Sequence, residues 1–323
     1  MSNSVYIRAD GGNSIGLGHL VRCVSLAYIL RAKYIIYFVC KEIPLDFERE
    51  FRELGINILK INTEEEFLQM LPCNSIVVLD HYSLGSKYQK TIKEIGCKLV
   101  CIDDMHNQTF YADLIINHTP GVQSSDYDAQ PYTDFALGLE YALLRPVFLD
   151  AARKTRVHND SRTVFICFGG SDPKNLTLKA LQAAFEIDFF SDIVVVSGAA
   201  NSNLKTIEET IAKHDSVKHF HNLRAEEMLK LMMKAGVVIV PASGILLEAL
   251  SLKCKVISGM YIENQRYIFE AFRKSNCIFD AATFSKIDIK AALMEAASGV
   301  KLAECDIDGY TSDRILSKFS LWD

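Results

Sequence analysis

Residues 5–19 read VYIRADGGNSIGLGH, and residues 163–175 read TVFICFGGSDPKN. Each stretch begins as an apolar run typical of a β-strand and passes into a glycine-rich turn, after which helix-period sequence follows. In such a strand–turn–helix unit, free backbone N–H groups and the helix dipole attract a phosphate. The two stretches therefore predict two similar α/β halves that face each other across a ligand-binding cleft.

The composition is that of an ordinary soluble globular protein. The chain has 323 residues, enough for two domains, and is 49% hydrophobic and 23% charged. With 35 basic and 40 acidic residues, its net charge of −5 excludes a general attraction for nucleic acid or anionic lipid. Its longest apolar run, 34–40, is far shorter than the roughly 20 residues that cross a bilayer, and its first residues lack a signal-peptide pattern. We expect a cytoplasmic protein without nucleic-acid partners or membrane insertion; the oligomeric state stays open.

Nine cysteines are scattered along the chain without CxxC spacing. Most of them lie within or beside apolar strands, and their number is odd. This usage is typical of free thiols in a reducing compartment. We therefore expect reduced core thiols.

Short β-branched runs alternate with helix-period stretches from one end of the chain to the other. Continuous apolar strands separated by helices indicate parallel sheets buried on both faces. The predicted strands are 5–9, 34–40, 57–61, 75–79, 98–102, 114–117, 163–168, 193–197, 217–221, 236–240 and 255–258. The pattern predicts an α/β fold of two Rossmann-like, doubly wound domains.

A polar, charged stretch at residues 153–162, RKTRVHNDSR, predicts the domain boundary. Residues 1–152 would form the N-terminal Rossmann-like domain, and residues 161–300 the C-terminal one. The last segment, 301–323, is predicted to be a helix that returns to the first domain.

Polar residues follow the predicted strands closely. Ligands of open parallel sheets bind outside the carboxyl ends of the strands. Besides the two glycine turns, the segments placed there are His81-Tyr82, Asp103-Asp104, Asn117-His118 and Ser243-Gly244. We expect these segments to converge on one ligand site.

The first turn is not a dinucleotide-binding fingerprint, because Val21 occupies the position of the third glycine. His19 instead stands at the start of a predicted helix, where the dipole favours a neutral imidazole that can accept a proton from water. Alternatively, His19 only caps and packs the turn.

The second turn carries Pro173 where a first helical position is expected, with Asp172 or Ser171 as the N-cap. Such a capped loop needs no ligand. The adjacent Gly169 and Gly170 nevertheless favour a position beside a diphosphate or a sugar.

A third turn, Ser243-Gly244, can present N–H groups to phosphate oxygens. Glu248 lies about one helical turn further on, where its carboxylate can accept both hydroxyls of a ribose. Alternatively, Glu248 only offsets the helix dipole.

Other polar segments carry weaker signals. His81-Tyr82 offers an imidazole and a phenol, but it also fits an ordinary loop. Asp103-Asp104 with His106 suggests metal ligands, yet adjacent aspartates at a strand end point to opposite faces, so we expect no metal. Neither a G-x-S-x-G elbow nor a P-loop is present, which argues against an esterase or a kinase.

With these residues assembled, the chain resembles the UDP-sugar hydrolases of the pseudaminic acid pathway, which are relatives of MurG-type glycosyltransferases. In the first half the matching residues are Arg8, Asp10, Ile15, Gly16, Gly18, His19, Arg22, Leu26-Ala27, Asp80-His81-Tyr82, Asp103-Asp104, Asn117, Ser125-Asp126-Tyr127, Gly138, Tyr141-Ala142-Leu143 and Arg145. In the second half they are Phe165-Ile166-Cys167, Gly169-Gly170-Ser171-Asp172, Lys174-Asn175-Leu176, Ala242-Ser243, Glu248-Ala249-Leu250 and Asn264-Gln265. The pattern extends from residue 5 to about residue 275.

The resemblance implies the GT-B fold and cofactor-free, metal-independent hydrolysis of UDP-2,4-diacetamido-2,4,6-trideoxy-β-L-altropyranose to UDP and the free sugar, with inversion. It implies that His19 is the catalytic residue. The implied substrate-binding residues are Asp10, Gly18, Tyr82, Asn264 and Gln265. The implied nucleotide-binding residues are Gly169, Gly170, Ser171, Ser243, Gly244 and Glu248.

Three alternatives remain open at this point. A MurG-like glycosyltransferase would pass the sugar to an acceptor, although the first half shows no basic amphipathic segment for a lipid-linked one. An inactive nucleotide-sugar-binding protein would bind without turnover. The same hydrolysis could also act on a different UDP-sugar of a surface-polysaccharide pathway. A hydrolysing 2-epimerase would share the fold, but we expect it to have a site richer in carboxylates.

Overall fold

The computed structural model describes residues 4–12, 16–154 and 161–322. By contacts the chain divides into two units: unit 1 comprises Met1–Pro146 and Tyr310–Asp323, and unit 2 comprises Val147–Gly309. The boundary between Pro146 and Val147 thus lies before the polar stretch 153–162, where the sequence predicted it. Residues 155–160 of that stretch lie outside the described part.

The strands, in chain order, are β1 Ser4–Ala9, β2 Ile35–Cys40, β3 Asn57–Lys60, β4 Ile76–Asp80, β5 Lys98–Ile102, β6 Thr109–Phe110, β7 Leu114–Asn117, β8 Asp128–Ala129, β9 Asp134–Leu137, β10 Thr163–Ile166, β11 Asp192–Ser197, β12 Val217–His221, β13 Val237–Pro241, β14 Lys255–Gly259 and β15 Phe279–Asp280. The helices are α1 Gly18–Leu30, α2 Leu45–Glu53, α3 Glu64–Met70, α4 Ser86–Glu94, α5 Pro146–Ala152, α6 Leu176–Ala184, α7 Leu204–Ile211, α8 Ala225–Met232, α9 Gly244–Ser251, α10 Arg266–Lys274, α11 Lys286–Ala297 and α12 Thr311–Phe319.

Unit 1 is built on a parallel sheet in the order β3-β2-β1-β4-β5-β7-β9. In its centre, Ile7 lies opposite Phe38 on one side and Val78 on the other, and all three side chains are fully buried. Both faces of β1 are inaccessible to water, which explains why its sequence is almost continuously apolar. The strand order places the ends of β1, β4, β5 and β7 side by side.

Unit 2 repeats this plan with a parallel sheet in the order β12-β11-β10-β13-β14-β15. Its core joins Val164, Ile166 and Ile239 of the central strands to Leu181 of α6 and Leu293 of α11. The predicted α/β class is confirmed: both units are Rossmann-like parallel sheets flanked by helices.

The helix α12 belongs to unit 1 by its contacts. Phe319 packs at 6.2 Å, centroid to centroid, from Tyr34, and Lys318 Nζ lies 2.7 Å from Asp134 Oδ2. Thr311 Oγ1 donates to the carbonyl of Glu140 at 3.2 Å. These contacts hold the end of the chain against β9 and the segment that follows it.

Two of the nine cysteines differ from the sequence-based expectation. Cys277 and Cys305 form a disulfide whose Cα atoms are 6.2 Å apart. The expectation of reduced thiols is therefore wrong for this pair, because the fold brings residues 28 positions apart into contact in a way that cysteine spacing does not reveal. Of the free cysteines, Cys73 is exposed.

None of the helices in the described ranges is both long and apolar enough to cross a membrane.

Candidate active site

The candidate site in unit 1 lies where three neighbouring strands end. The segment after β1 leads to His19 in the first turn of α1, β4 ends at Asp80 and continues into His81-Tyr82, and Asp103-Asp104 follows β5. Because parallel strands present their carboxyl ends at one edge, polar residues far apart in sequence meet there.

His19 and Asp80 form a buried pair. The Nδ1 atom of His19 lies 2.5 Å from Oδ1 of Asp80, and the two side chains are 7% and 0% exposed. Burial alone would raise the pKa of Asp80, but the charge of Arg22 and the contact with His19 hold that pKa well below its ordinary value. The Nη2 atom of Arg22 also lies 3.2 Å from this Nδ1. Because an ionised carboxylate can only accept, the shorter contact with Asp80 favours the tautomer with its hydrogen on Nδ1, which leaves the lone pair on Nε2.

Arg22 completes the surroundings of Asp80. Its Nε and Nη2 atoms donate to the two oxygens of Asp80 at 2.6 and 2.5 Å, and Nη1 donates to Asp104 Oδ2 at 2.9 Å. This forked contact neutralises a carboxylate that burial would otherwise disfavour. The Cys23 thiol donates a weaker bond to Asp80 Oδ2 at 3.6 Å.

Tyr82 lies beside His19. Their rings meet edge to face with centroids 4.7 Å apart, and the hydroxyl of Tyr82 donates to Asp104 Oδ2 at 3.0 Å. Although 46% of Tyr82 is exposed, its hydroxyl is thus fixed relative to the imidazole. The structure brings these two predicted residues together. Gly18 is the first residue of α1, directly before His19, and a Cβ placed on it would meet no atom within 4 Å.

Asp10, predicted to bind substrate, is engaged within the protein. Its Oδ2 accepts from Arg8 at 2.7 Å and lies 3.3 Å from His81 Nε2, while Oδ1 accepts from the backbone N–H of Lys41 at 2.6 Å. Only 4% of Asp10 is exposed. These contacts let Asp10 join the ends of β1, β2 and β4.

The two aspartates after β5 point to different partners, as the sequence predicted. Asp103 Oδ2 accepts from the backbone N–H of His106 at 2.7 Å and from the Tyr127 hydroxyl at 3.2 Å, and burial raises its pKa. Asp104 instead contacts Arg22 and Tyr82. Across the parts of the chain that the structure describes, no cluster of three or more His, Cys, Asp or Glu side chains is arranged to hold a metal ion.

In unit 2 the turn after β10 carries the predicted glycines. Gly169 has a φ of +78°, which favours glycine, and Gly170 packs so closely on Gly198 that a Cβ on Gly198 would lie 2.4 Å from the Gly170 Cα. Ser171 follows in the same turn, which is thereby held against the segment after the neighbouring strand β11.

The predicted N-cap of the next helix is wrong, because Asn175 rather than Asp172 or Ser171 occupies that position. Helix α6 begins at Leu176, and Pro173 lies in the turn before it. The cause is Asp172, whose φ of +42° turns the chain so that its carboxylate accepts from the N–H groups of Leu176 and Thr177 at 2.7 and 2.9 Å. Asp172 therefore satisfies amides of the first helical turn from a position further upstream than an N-cap residue.

Helix α9 begins at Gly244, with Ser243 in the N-cap position. A Cβ on Gly244 would meet no atom within 4 Å, so the backbone at this helix start is open to a ligand. Glu248 lies one turn further on and is 2% exposed. Gly244 thus lies at the N-terminus of an eight-residue helix, whose first N–H groups have no partner within the helix.

Asn264 and Gln265 occupy a single-turn helix, Glu263–Gln265, before α10. Gln265 is 5% exposed, and its Oε1 accepts from the N–H of Tyr261 at 2.9 Å. Lys174 Nζ donates to the Tyr261 carbonyl at 2.6 Å, which connects this segment to the turn after β10. In this structure Gln265 supports the loop that carries Asn264.

Sequence reasoning gave no role to Asp80 or Arg22, although both belong to the matching pattern. Two features of the sequence could have indicated them: a charged residue at the end of the apolar strand β4, and an arginine about one helical turn after His19 on α1. Their partnership depends on the pairing of β1 with β4, which no local pattern reports. Ile15 of the pattern lies outside the described residues.

No family model matches the chain. It is 29% identical over 272 residues to the UDP-2,4-diacetamido-2,4,6-trideoxy-beta-L-altropyranose hydrolase of Campylobacter jejuni, covering 81% of this chain and 93% of the relative. It is 28% identical over 282 residues to the spore coat polysaccharide biosynthesis protein SpsG of Bacillus subtilis, covering 85% and 83%.

Solved structures with the same fold include the UDP-GlcNAc 2-epimerase of Methanocaldococcus jannaschii, with a TM-score of 0.64 at 11% identity over 98% of this chain and 99% of that chain. MurG of Acinetobacter baumannii gives a TM-score of 0.61 at 10% identity over 98% and 99%. The chain is thus a GT-B-fold protein whose sequence is similar to that of the Campylobacter UDP-sugar hydrolase.

Proposed function

We propose that this protein hydrolyses a UDP-linked 2,4-diacetamido-2,4,6-trideoxy sugar, the β-L-altropyranose, to UDP and the free sugar in pseudaminic acid biosynthesis. The observation that carries the proposal is the buried His19–Asp80 pair, whose atoms lie 2.5 Å apart. The 29% identity to the Campylobacter hydrolase supports the choice of reaction and substrate.

In the proposed mechanism His19 is the general base. Asp80 holds the hydrogen on Nδ1, so the lone pair of Nε2 accepts a proton from water. The water oxygen forms a bond to the anomeric carbon, and the bond from that carbon to the UDP oxygen breaks with its electron pair leaving on UDP. Attack from the face opposite UDP inverts the anomeric centre.

We propose that unit 2 binds UDP. The open backbone at Gly244, at the start of α9, suits a diphosphate, and the turn at Gly169, Gly170 and Ser171 offers further N–H groups. Helix N-termini stabilise the negative charge that grows on the leaving UDP, so the proposal requires no metal. Glu248 is assigned to the ribose, and Tyr82 and Asn264 to the sugar.

The test is UDP release by the purified protein in the presence of EDTA. The altropyranose nucleotide, other UDP-diacetamido sugars and UDP-GlcNAc are supplied in parallel, to wild type and His19→Ala. We expect release from the first substrate and a loss of about 10²- to 10⁴-fold in His19→Ala. His214→Ala is the matched control, because His214 stacks on Phe185 in unit 2 and has no place in the mechanism.

Three outcomes would contradict parts of the proposal. Release from another UDP-sugar only would retain the reaction and change the substrate. UDP binding without release from any of these nucleotides would overturn the hydrolase assignment for them. Full activity in His19→Ala would remove His19 from the mechanism.

A further inference from the structure

Arg22 contacts two carboxylates that follow neighbouring strands. Its Nε and Nη2 atoms bind Asp80 at the end of β4, and its Nη1 atom binds Asp104 after β5 at 2.9 Å. Its side chain is 10% exposed, so these bonds are shielded from water. Because the guanidinium is planar and has donors on both sides, it fixes the positions of the two carboxylates relative to each other.

Each of these carboxylates contacts one side chain of the candidate site. Asp80 Oδ1 lies 2.5 Å from His19 Nδ1, and Asp104 Oδ2 accepts from the Tyr82 hydroxyl at 3.0 Å. The other oxygen, Asp104 Oδ1, is buried and has no hydrogen-bond partner within the described ranges. Oδ2 therefore carries the contacts that orient Asp104, and Arg22 supplies the charged one.

We infer that Arg22 is a positioning residue for both His19 and Tyr82: through Asp80 it keeps the His19 lone pair on Nε2, and through Asp104 it fixes the Tyr82 hydroxyl. This inference rests on the proposed function for its kinetic consequences. Its structural consequence, the tautomer of His19, can be measured without substrate.

The physical reason lies in the burial of Asp80, which is 0% exposed. Without the cation beside it, a buried carboxylate takes up a proton more readily. The added proton then either stays on Asp80, which donates a hydrogen bond to Nδ1 of a His19 ring whose own hydrogen is on Nε2, or passes to the ring, which leaves an ionised Asp80 beside a doubly protonated imidazole. Both results remove the lone pair from Nε2.

Further titratable side chains face this network from the surrounding elements. They are Cys23 of α1, Tyr82 after β4, Cys101 within β5, Asp104 after β5, and His118 after β7. Burial lowers the pKa of His118 to about 4 and raises the pKa of both thiols, so these groups are neutral around pH 7. Arg22 is accordingly the cation that balances Asp80 and Asp104.

The kinetic test compares wild type, R22K and R22Q, with R52Q as the matched control. Arg52 forms an exposed pair with Glu48 on α2 and is remote from the network. We expect R22Q to lower kcat for UDP release about 100-fold, in the range of a general-base contribution, with KM changed less than threefold. R22K restores the charge without the fork and recovers part of the loss.

The pH profile and a double-variant cycle separate positioning from general stabilisation. In R22Q, and to a smaller extent in R22K, the acidic limb of kcat/KM moves to higher pH, because the pKa of Asp80 rises when the cation or its forked contact is lost. If Arg22 acts through His19, R22K lowers the rate of His19→Ala by far less than it lowers the wild-type rate. Equal losses in both backgrounds, or an unmoved acidic limb, would overturn the inference.

Nitrogen-15 NMR of the imidazole gives a readout that needs no turnover. Wild type should show His19 with its hydrogen on Nδ1, and R22K a smaller fraction of that tautomer. An unchanged tautomer in a folded R22K protein would refute the inference even if the hydrolase proposal stands.

Conversely, if R22K alters the tautomer but the protein hydrolyses none of the nucleotides, the inference about His19 stands and the proposed function is overturned. Because R22K keeps the positive charge, it decides the matter if R22Q does not fold.

Discussion

The carboxylate of Asp80 lies 2.5 Å from the imidazole of His19, although the two residues are 61 positions apart in the chain. Asp80 is the last residue of an apolar strand and His19 lies in the first turn of a helix, so each is held by regular backbone. A histidine fixed in this way presents one defined nitrogen, which is the requirement for a general base.

Replacing Asp80 by Asn should separate this contact from simple burial. An amide can donate to Nδ1 and thereby move the imidazole hydrogen to Nε2, so we expect D80N to lose at least about 100-fold in kcat for UDP release. The affinity for UDP, measured by calorimetry, should change little. D134N is the control, because Asp134 forms a half-exposed pair with Lys318 in the same unit. A D80N protein with wild-type kcat would show that Asp80 does not orient His19.

Replacing Gly244 by Ala tests the proposed diphosphate site. The added methyl meets no protein atom within 4 Å, and Ala suits a helix, so the unfolding temperature should be unchanged or slightly higher. A diphosphate at the backbone would meet that methyl, and we expect UDP to bind at least about tenfold more weakly, a loss of about 1.4 kcal/mol. Uridine, which lacks the phosphates, is the control ligand and should bind equally to both proteins. Unchanged UDP affinity would place the diphosphate elsewhere.

Glu64 should make stability depend on acidity. It pairs with the buried Arg8, with Oε1 2.7 Å from Nη2; burial opposes its ionisation, but Arg8 and Lys41 lower its pKa to about 2. A carboxylate whose pKa is lower in the folded state stabilises above its unfolded value near 4.3 and loses that effect as pH falls. The free energy of unfolding should therefore be flat above about pH 5 and decrease toward pH 2.

E64Q is the matching variant for that experiment. Because E64Q removes one partner of the buried Arg8, it should lower the free energy of unfolding by about 3 kcal/mol at neutral pH. This is the low end for buried ion pairs, since Arg8 still pairs with Asp10. Since E64Q lacks the titrating group, its stability should change less between pH 5 and 2, and the two curves should converge in acid. Parallel curves, measured by urea denaturation, would exclude Glu64 as a source of the pH dependence.

The disulfide predicts the number of accessible thiols. Under denaturing, non-reducing conditions an alkylating reagent should label seven of the nine cysteines, and reduction should expose the remaining two, Cys277 and Cys305. Closing a loop of this length contributes about 3.6 kcal/mol in the chain-entropy description, so reduction should also lower the unfolding temperature. The control is C73S, which removes an exposed free thiol and should leave the unfolding temperature unchanged. Nine labelled cysteines before reduction would contradict the pairing.

Strong local patterns in this sequence predicted much of the secondary structure. The strands predicted at 98–102, 114–117 and 217–221 have the bounds of β5, β7 and β12. Short or partly polar elements were missed, among them β9, β15 and α11, because a four-residue edge strand or a helix with little amphipathic contrast has no distinctive period.

The sequence by itself determined the α/β class, because continuous apolar strands between helices have few stable arrangements other than parallel sheets covered on both faces. It also singled out His19, since a histidine after a glycine-rich turn is unusual enough to notice. The tertiary structure alone decided which side chains touch His19, what Arg22 joins, and that Asp10 and Gln265 are engaged internally. Those contacts arise from pairing between strands distant in the chain, where geometry across the sheet, rather than any local spacing, sets which polar atoms meet.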